Sequence, residues 1–216
     1  MAKLTDLGFS EGIIFETIVS SYCKDGSPNA APMGACKENE SILTLDIFNS
    51  SLTNHNILKN KSAVINLTSR IDLFYNTAFK EVNPQGKLPE EWFEKAITVN
   101  APKLCLADAA IEVSVESIEQ AGKEKTRFHC KVVNIEAAKI YPQVYCRAMS
   151  ATLEAIVYAT RVKAFANKED QKKQVTKLLN LIENCHDVVI RTAPISPYSR
   201  VMTDLNRMID SWRVMT

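Results

Sequence analysis

The sequence predicts a mainly β, α+β fold: a closed antiparallel barrel followed by a small helical domain. Three observations carry this. Up to about residue 142 the chain is a succession of short runs rich in Val, Ile, Thr and Phe, punctuated by turn residues. Only one clear helical interruption breaks that succession, and closing such strands into a barrel removes the edges they would otherwise expose. Beyond Pro142 the apolar residues switch to helical spacing.

Taken in order, residues 13–23, 29–37 and 42–47 read as a three-stranded meander, turning at Asp25-Gly26 and at the polar residues 38–41. Residues 53–60 suit a short helix, 63–68 a strand, and 72–79 a short helix or turn anchored by Leu73, Phe74 and Phe79. Residues 81–102, holding Pro84, Gly86, Pro89 and Pro102, read as a long irregular segment with a helical turn at 90–96. Segments of that length usually cover a site or an interface. Residues 109–120 and 125–138 form a long hairpin around Gly122, and the barrel ends near Tyr141-Pro142. The boundary therefore divides a barrel domain, 1–142, from a helical domain, 143–216. In the second, residues 144–167 lack Pro and Gly, and 169–185 carry Val175, Leu178, Leu179 and Ile182 at helical spacing, predicting a helical hairpin. Residues 188–192 read as extended, Pro194 and Pro197 as breakers, and 199–214 as a terminal helix.

At 216 residues the chain can bury a real core, and 46% hydrophobic with 24% charged residues is a globular composition. Lys and Arg number 26 against 25 Asp and Glu, so a net charge of +1 gives no global pull toward nucleic acid or membrane. An anion must be caught locally. No apolar run reaches the roughly 18 residues of a membrane span, and residues 1–10 lack the apolar stretch of a signal peptide, so the expectation is a cytoplasmic protein. Six cysteines lie far apart with no C-x-x-C pair, which predicts reduced, mostly buried thiols and neither zinc nor disulfides. The three histidines lack metal-ligand spacing, and no Ser-His-Asp order, Walker loop or dinucleotide glycine fingerprint is found.

Several residue groups suit a phosphate-bearing aromatic ligand. Ser50, Ser51 and Thr53 offer hydroxyls where a helix starts, beside amides that lack internal partners, and Asn56 follows one turn on. The alternative is that Ser51 or Thr53 is an ordinary N-cap. Lys59, Lys61, Arg70 and Lys80 are nearby cations among which the sequence does not choose. The small residues of Asn29-Ala30-Ala31-Pro32-Met33-Gly34 leave room for a flat ligand against the backbone, or for tight packing on a neighbouring strand. Asn66 and Thr68 share a strand face, and Asp72 follows as a ligand-ordering group or a helix cap. Arg147, Glu154 and Arg161, seven apart, line one helix stripe near Tyr158 and Thr160. A structural ion network is the leading account of that stripe; a role reaching a ligand through Arg161 is the other.

In order and spacing, the 29–34 strand motif, the 50–56 loop, Asn66-Leu67-Thr68, Asp72-Leu73-Phe74 and the Arg147-Ala148, Glu154-Ala155 and Ala159-Thr160-Arg161 series resemble the FMN-binding split-barrel superfamily. Within it they are most similar to a mainly archaeal-type domain of unknown function, DUF447, over nearly the whole chain. The resemblance implies an antiparallel split β-barrel with a small C-terminal helical domain. It implies FMN bound by Asn29, Ala31, Pro32, Met33, Ser50, Ser51, Thr53, Asn56, Asn66, Thr68, Asp72 and Arg161. It also implies a homodimer with the flavin near the subunit boundary, where Trp92 and Phe93 complete the neighbour's pocket. The function so implied is an FMN-binding flavoprotein, an oxidoreductase of unknown substrate served by a transient reduced nicotinamide or deazaflavin donor. The alternatives are a non-catalytic flavin carrier, or a structural homodimer that has lost its flavin.

Overall fold

The structure, a computed structural model, describes residues 3–12, 14–137, 147–166 and 168–214. The strands β1 (Ile14–Tyr22), β2 (Pro28–Asn39), β3 (Ile42–Phe48), β4 (Ser62–Leu67), β5 (Phe93–Lys95), β6 (Pro102–Leu104), β7 (Ala109–Ala121) and β8 (Lys125–Ala137) alternate with α1 (Leu52–Asn60) and α2 (Ile71–Ala78). The long helices α3 (Arg147–Phe165), α4 (Lys172–Thr192) and α5 (Pro197–Val214) follow.

Six strands close into an antiparallel barrel in the order β1-β2-β3-β8-β7-β4, with β4 returning to β1 through Ile18↔Asn66. Period-two alternation turns Leu43, Leu45 and Ile47 of β3 into the barrel, where they meet Ile65, Ile111, Phe128 and Ile57 of α1. Burying each such side chain contributes about 1.5 to 3 kcal/mol. Leu4 and Phe9 add to the same core from the N-terminal segment, and the Phe9 and Phe15 rings meet edge to face at 5.0 Å. The Asp25-Gly26 turn is held by the Asp25 carboxylate, which accepts from the Ser27 amide at 3.0 Å and hydroxyl at 2.6 Å. Gly26, at φ 85°, takes the left-handed conformation that this turn needs.

Two compact units are resolved by their internal packing. One contains the barrel. The other contains α3, α4 and α5 together with α2, although α2 lies in sequence between barrel segments. In that unit Ala148, Thr152, Ala155 and Ala159 form a small-residue stripe on α3, which packs on α4 and α5. Leu178, Ile182 and Val189 of α4, with Met202, Leu205 and Ile209 of α5, supply the larger buried groups.

Several expectations change. Residues 188–192 are the end of α4 rather than an extended stretch, because Val189 continues the buried stripe of Leu178 and Ile182. Residues 93–104 contain a short ribbon, β5 paired with β6, in place of a helical turn across 90–96; only a 3-10 turn at Glu90–Trp92 precedes it. Strand β4 stops at Leu67, one residue short of Thr68. Of the five described cysteines, all free, Cys130 alone is buried, Cys105 is exposed and the others are half-buried. The expected barrel end at Tyr141-Pro142 and the start of the next helix at residues 144–146 lie outside the described residues, as does Cys146. Among the described residues no helix is long and apolar enough to cross a membrane.

Candidate functional site

Strand β2 is claimed unequally by its neighbours. Its residues Pro28 to Cys36 pair with β1, but pairing with β3 begins only at Ala35. Among the described residues, the stretch 28–34 thus has a ladder on one flank alone. Ala31, Pro32 and Met33 are half-buried there, and Thr17 Oγ1 donates to the Met33 carbonyl at 2.8 Å from the β1 side. Gly34 has a packing reason rather than a ligand reason: a Cβ at this position would stand 2.6 Å from Cγ2 of Ile14.

Helix α1 brings its amino end to the same strand. Ser51 is its N-cap, accepting the Asn54 amide at 3.1 Å, so the capping alternative holds for this residue. Exposed Ser50 precedes it, and the amides of Leu52 and Thr53 have no acceptor in the described chain. Exposed His55 turns back, placing Nδ1 2.9 Å from the Ser51 carbonyl. Thr53 and Asn56, three apart and so on one face, are both buried. They straddle a cross-strand pair, since Ser21 of β1 stands opposite Asn29 of β2. Asn29 Nδ2 donates to Thr53 Oγ1 at 3.2 Å, while Asn56 Nδ2 donates to Ser21 Oγ at 3.2 Å and reaches Cys23 Sγ at 3.7 Å.

The cluster also includes a cation. Lys80, opening the 3-10 turn Lys80–Val82, donates from Nζ to Asn29 Oδ1. Burial holds its ammonium below the usual lysine range, opposed by the nearby Cys23 thiol. No carboxylate pairs with it among the described residues. Lys59 and Lys61 are exposed at the opposite end of α1, about 13 Å along a nine-residue helix, and Arg70 is exposed too.

Other predicted residues have different partners or belong to the other unit. Asn66 is fully buried, donating to the Ile18 carbonyl at 2.8 Å and Ser20 Oγ at 2.9 Å and accepting the Leu104 amide at 2.9 Å. These bonds staple β1, β4 and β6 and occupy both ends of its amide. Thr68 accepts the Arg70 amide at 3.1 Å in a local turn, so the shared strand face does not reach it. Asp72 stands in the first turn of α2, and Arg161 on α3, both in the helical unit. Arg147, Glu154 and Arg161 are all exposed. Tyr158 donates to Glu154, and that bond pushes the phenol above its usual range.

A second buried polar group belongs to the architecture. Glu112 of β7 is fully buried and accepts the amides of Ile97 at 3.1 Å, Thr98 at 2.6 Å and Val99 at 3.0 Å, with Asn134 Nδ2 at 2.9 Å. Burial alone would raise its pKa. The Asn134 amide and the three backbone amides outweigh burial and hold the carboxyl below the usual range.

Sequence reasoning missed Ser21 and Cys23 and left Lys80 unchosen. Counting back from the Asp25-Gly26 turn would have set Ser21 opposite Asn29. Two concave surfaces lie elsewhere: one lined by Asn54, His55, Leu58 and Ile118, on the other side of α1, and one in the helical unit lined by Glu183, His186 and Asp210. Among the described residues no group of His, Cys, Asp and Glu is placed to hold a metal.

Residues 15–139 match the family described as Protein of unknown function (DUF447) N-terminal domain. The chain belongs to the DUF447 family. An FMN-bound protein of the same family from Methanosarcina mazei superposes with a TM-score of 0.76 at 23% identity, covering 94% of this chain and 98% of that one. Nitrilotriacetate monooxygenase component B from Bacillus cereus superposes at 0.51 with 17% identity, covering 68% and 82%. These likenesses show that the DUF447 chain shares the split-barrel fold with those proteins. No protein of curated function matches its sequence.

Proposed function

We propose that this DUF447 protein is an FMN-binding flavoprotein acting as an oxidoreductase. The observation that carries the reading is the one-sided stretch of β2 lying beside the donor-rich amino end of α1. The donor set suits the nucleotide: hydroxyls of Ser50 and Ser51 and the unclaimed amides of Leu52 and Thr53 suit a phosphate, with Thr53 and Asn56 alongside. Ala31, Pro32 and Met33 offer a low-relief flank for a flat ring. A family relative of the same fold is FMN-bound, which supports the reading. When bound, the flavin supplies electron-transfer chemistry, and the chain's residues bind and orient it. Asn66 acts here as a brace rather than a ligand.

We also infer a two-fold homodimer in which Trp92 and Phe93, both half-buried, complete the partner's site. A cytoplasmic location fits the free thiols. Titration of the apoprotein with FMN, followed by the visible spectrum, tests the central claim. Micromolar binding, equivalent to about 8 kcal/mol, is expected; absence of any spectral change overturns it. Anaerobic reduction of the bound flavin by a reduced nicotinamide or deazaflavin separates an oxidoreductase from a carrier. A light-scattering mass of one chain overturns the dimer.

A further inference from the structure

We propose that Lys80 is the cation that receives the flavin phosphate, and that it makes the site select FMN over riboflavin. This rests on the FMN reading above and adds to it a residue and a specificity.

The argument starts from charge accounting. A cation withdrawn from water is costly unless an opposite charge compensates it. Lys80 is half-buried, and its described partners are neutral: the Asn29 carbonyl oxygen, with the Cys23 thiol nearby. The position is nevertheless built. Phe79, 1% exposed, anchors the preceding residue, and Asn83 Nδ2 donates to the Lys80 carbonyl at 3.1 Å, fixing the turn that aims the side chain.

Asn29 then links this ammonium to the helix. Its Oδ1 accepts from Lys80 and its Nδ2 donates to Thr53 Oγ1, so both ends of the amide are committed and its orientation is set. An ammonium has three donors, of which Asn29 takes one. The remaining ammonium donors, the unclaimed amides of Leu52 and Thr53, and the Ser50 hydroxyl make a donor-rich set with one positive charge. Such a set suits a phosphomonoester dianion better than the hydroxymethyl end of riboflavin, which can accept a hydrogen bond but brings no charge to meet the ammonium. Lys59, Lys61 and Arg70 are exposed, so their charges carry no comparable burial cost.

The test is calorimetric titration of wild type and Lys80→Met with FMN and with riboflavin. Charge-assisted bonds of this kind correspond to a loss of about 10- to 100-fold. The expected result is that loss for FMN, a change of less than about twofold for riboflavin, and partial recovery of FMN affinity in Lys80→Arg. Equal loss for both ligands, or unchanged FMN affinity, overturns the proposal. In the wild-type protein, FMN should protect Lys80 from acetylation, read by peptide mass, whereas riboflavin should not. That readout holds even when Lys80→Met does not fold, and equal protection by both ligands overturns the proposal. Wild-type protein that binds neither flavin refutes the flavoprotein reading itself; wild type that binds both equally refutes the role of Lys80 alone.

Discussion

Glu112 and Lys80 are both charged groups withdrawn from water in the barrel unit, and they differ in how the surrounding chain answers them. Glu112 is surrounded by donors: three consecutive backbone amides and Asn134 meet one carboxylate. Lys80 meets one neutral amide oxygen and a thiol. The first arrangement is complete and locks residues 97–99 to β7; the second holds positive charge without a counter-charge among the described residues. Buried polarity alone therefore says little about function. What informs is the remainder after donors, acceptors and charges have been matched.

That contrast can be broken by mutation. Glu112→Ala leaves three amides and Asn134 facing a void, and chemical denaturation should show a loss of about 3 to 5 kcal/mol. A loss below about 1 kcal/mol would show that the carboxylate is not the lock described. Next in size, Thr53→Val with Asn56→Leu should weaken FMN by about 2 to 3 kcal/mol; unchanged titration would remove the amino end of α1 from the site.

Acid sharpens the comparison from the other side. Glu112 is held below its unfolded value of about 4.3, so its contribution is fully present above that pH and is lost as pH falls through the folded value. Glu112→Gln should flatten this acid limb in a stability profile, and an unaltered limb would assign it to other carboxylates. Lys80 gives the same direction of pH dependence for the opposite reason: burial penalises its charged form, whereas hydrogen bonds favour the charged form of Glu112. Its folded value lies below the unfolded one, so the ligand-free protein gains stability as pH rises through it. Lys80→Met without ligand should keep or raise stability by up to about 1 kcal/mol, measured by thermal melting. A marked loss would mean that Lys80 serves the fold.

Much of the barrel was legible because its signals are local. Alternation in Leu43, Leu45 and Ile47, the Asp25-Gly26 turn and the Ser51 cap each operate within a few residues. The end of α4 was misread because Val188, Val189 and Ile190 favour strands by themselves, whereas burial of Val189 on the helical stripe decides the matter. The β5 and β6 ribbon was missed because three residues a side carry too little pattern to register. In the candidate site, Asn29, Thr53 and Asn56 come together as their motif order suggested. Asn66 does not join them: the sequence holds no trace of the Leu104 amide that claims its oxygen. Lys80 lies 51 residues from Asn29, and no spacing rule spans that distance.

Among the described residues, the stretch 28–34 of β2 is laddered on one flank alone. A strand flank without a ladder is a template for foreign strands, and proteins commonly blunt it with proline. Residues 28, 30, 32 and 34 direct their backbone groups to the same side, away from the Thr17 contact at Met33. Pro28 and Pro32 occupy two of those four places, which leaves Ala30 and Gly34 as the only amide donors along the flank. The edge stays open to a small molecule while offering a second polypeptide too few hydrogen bonds to zip onto.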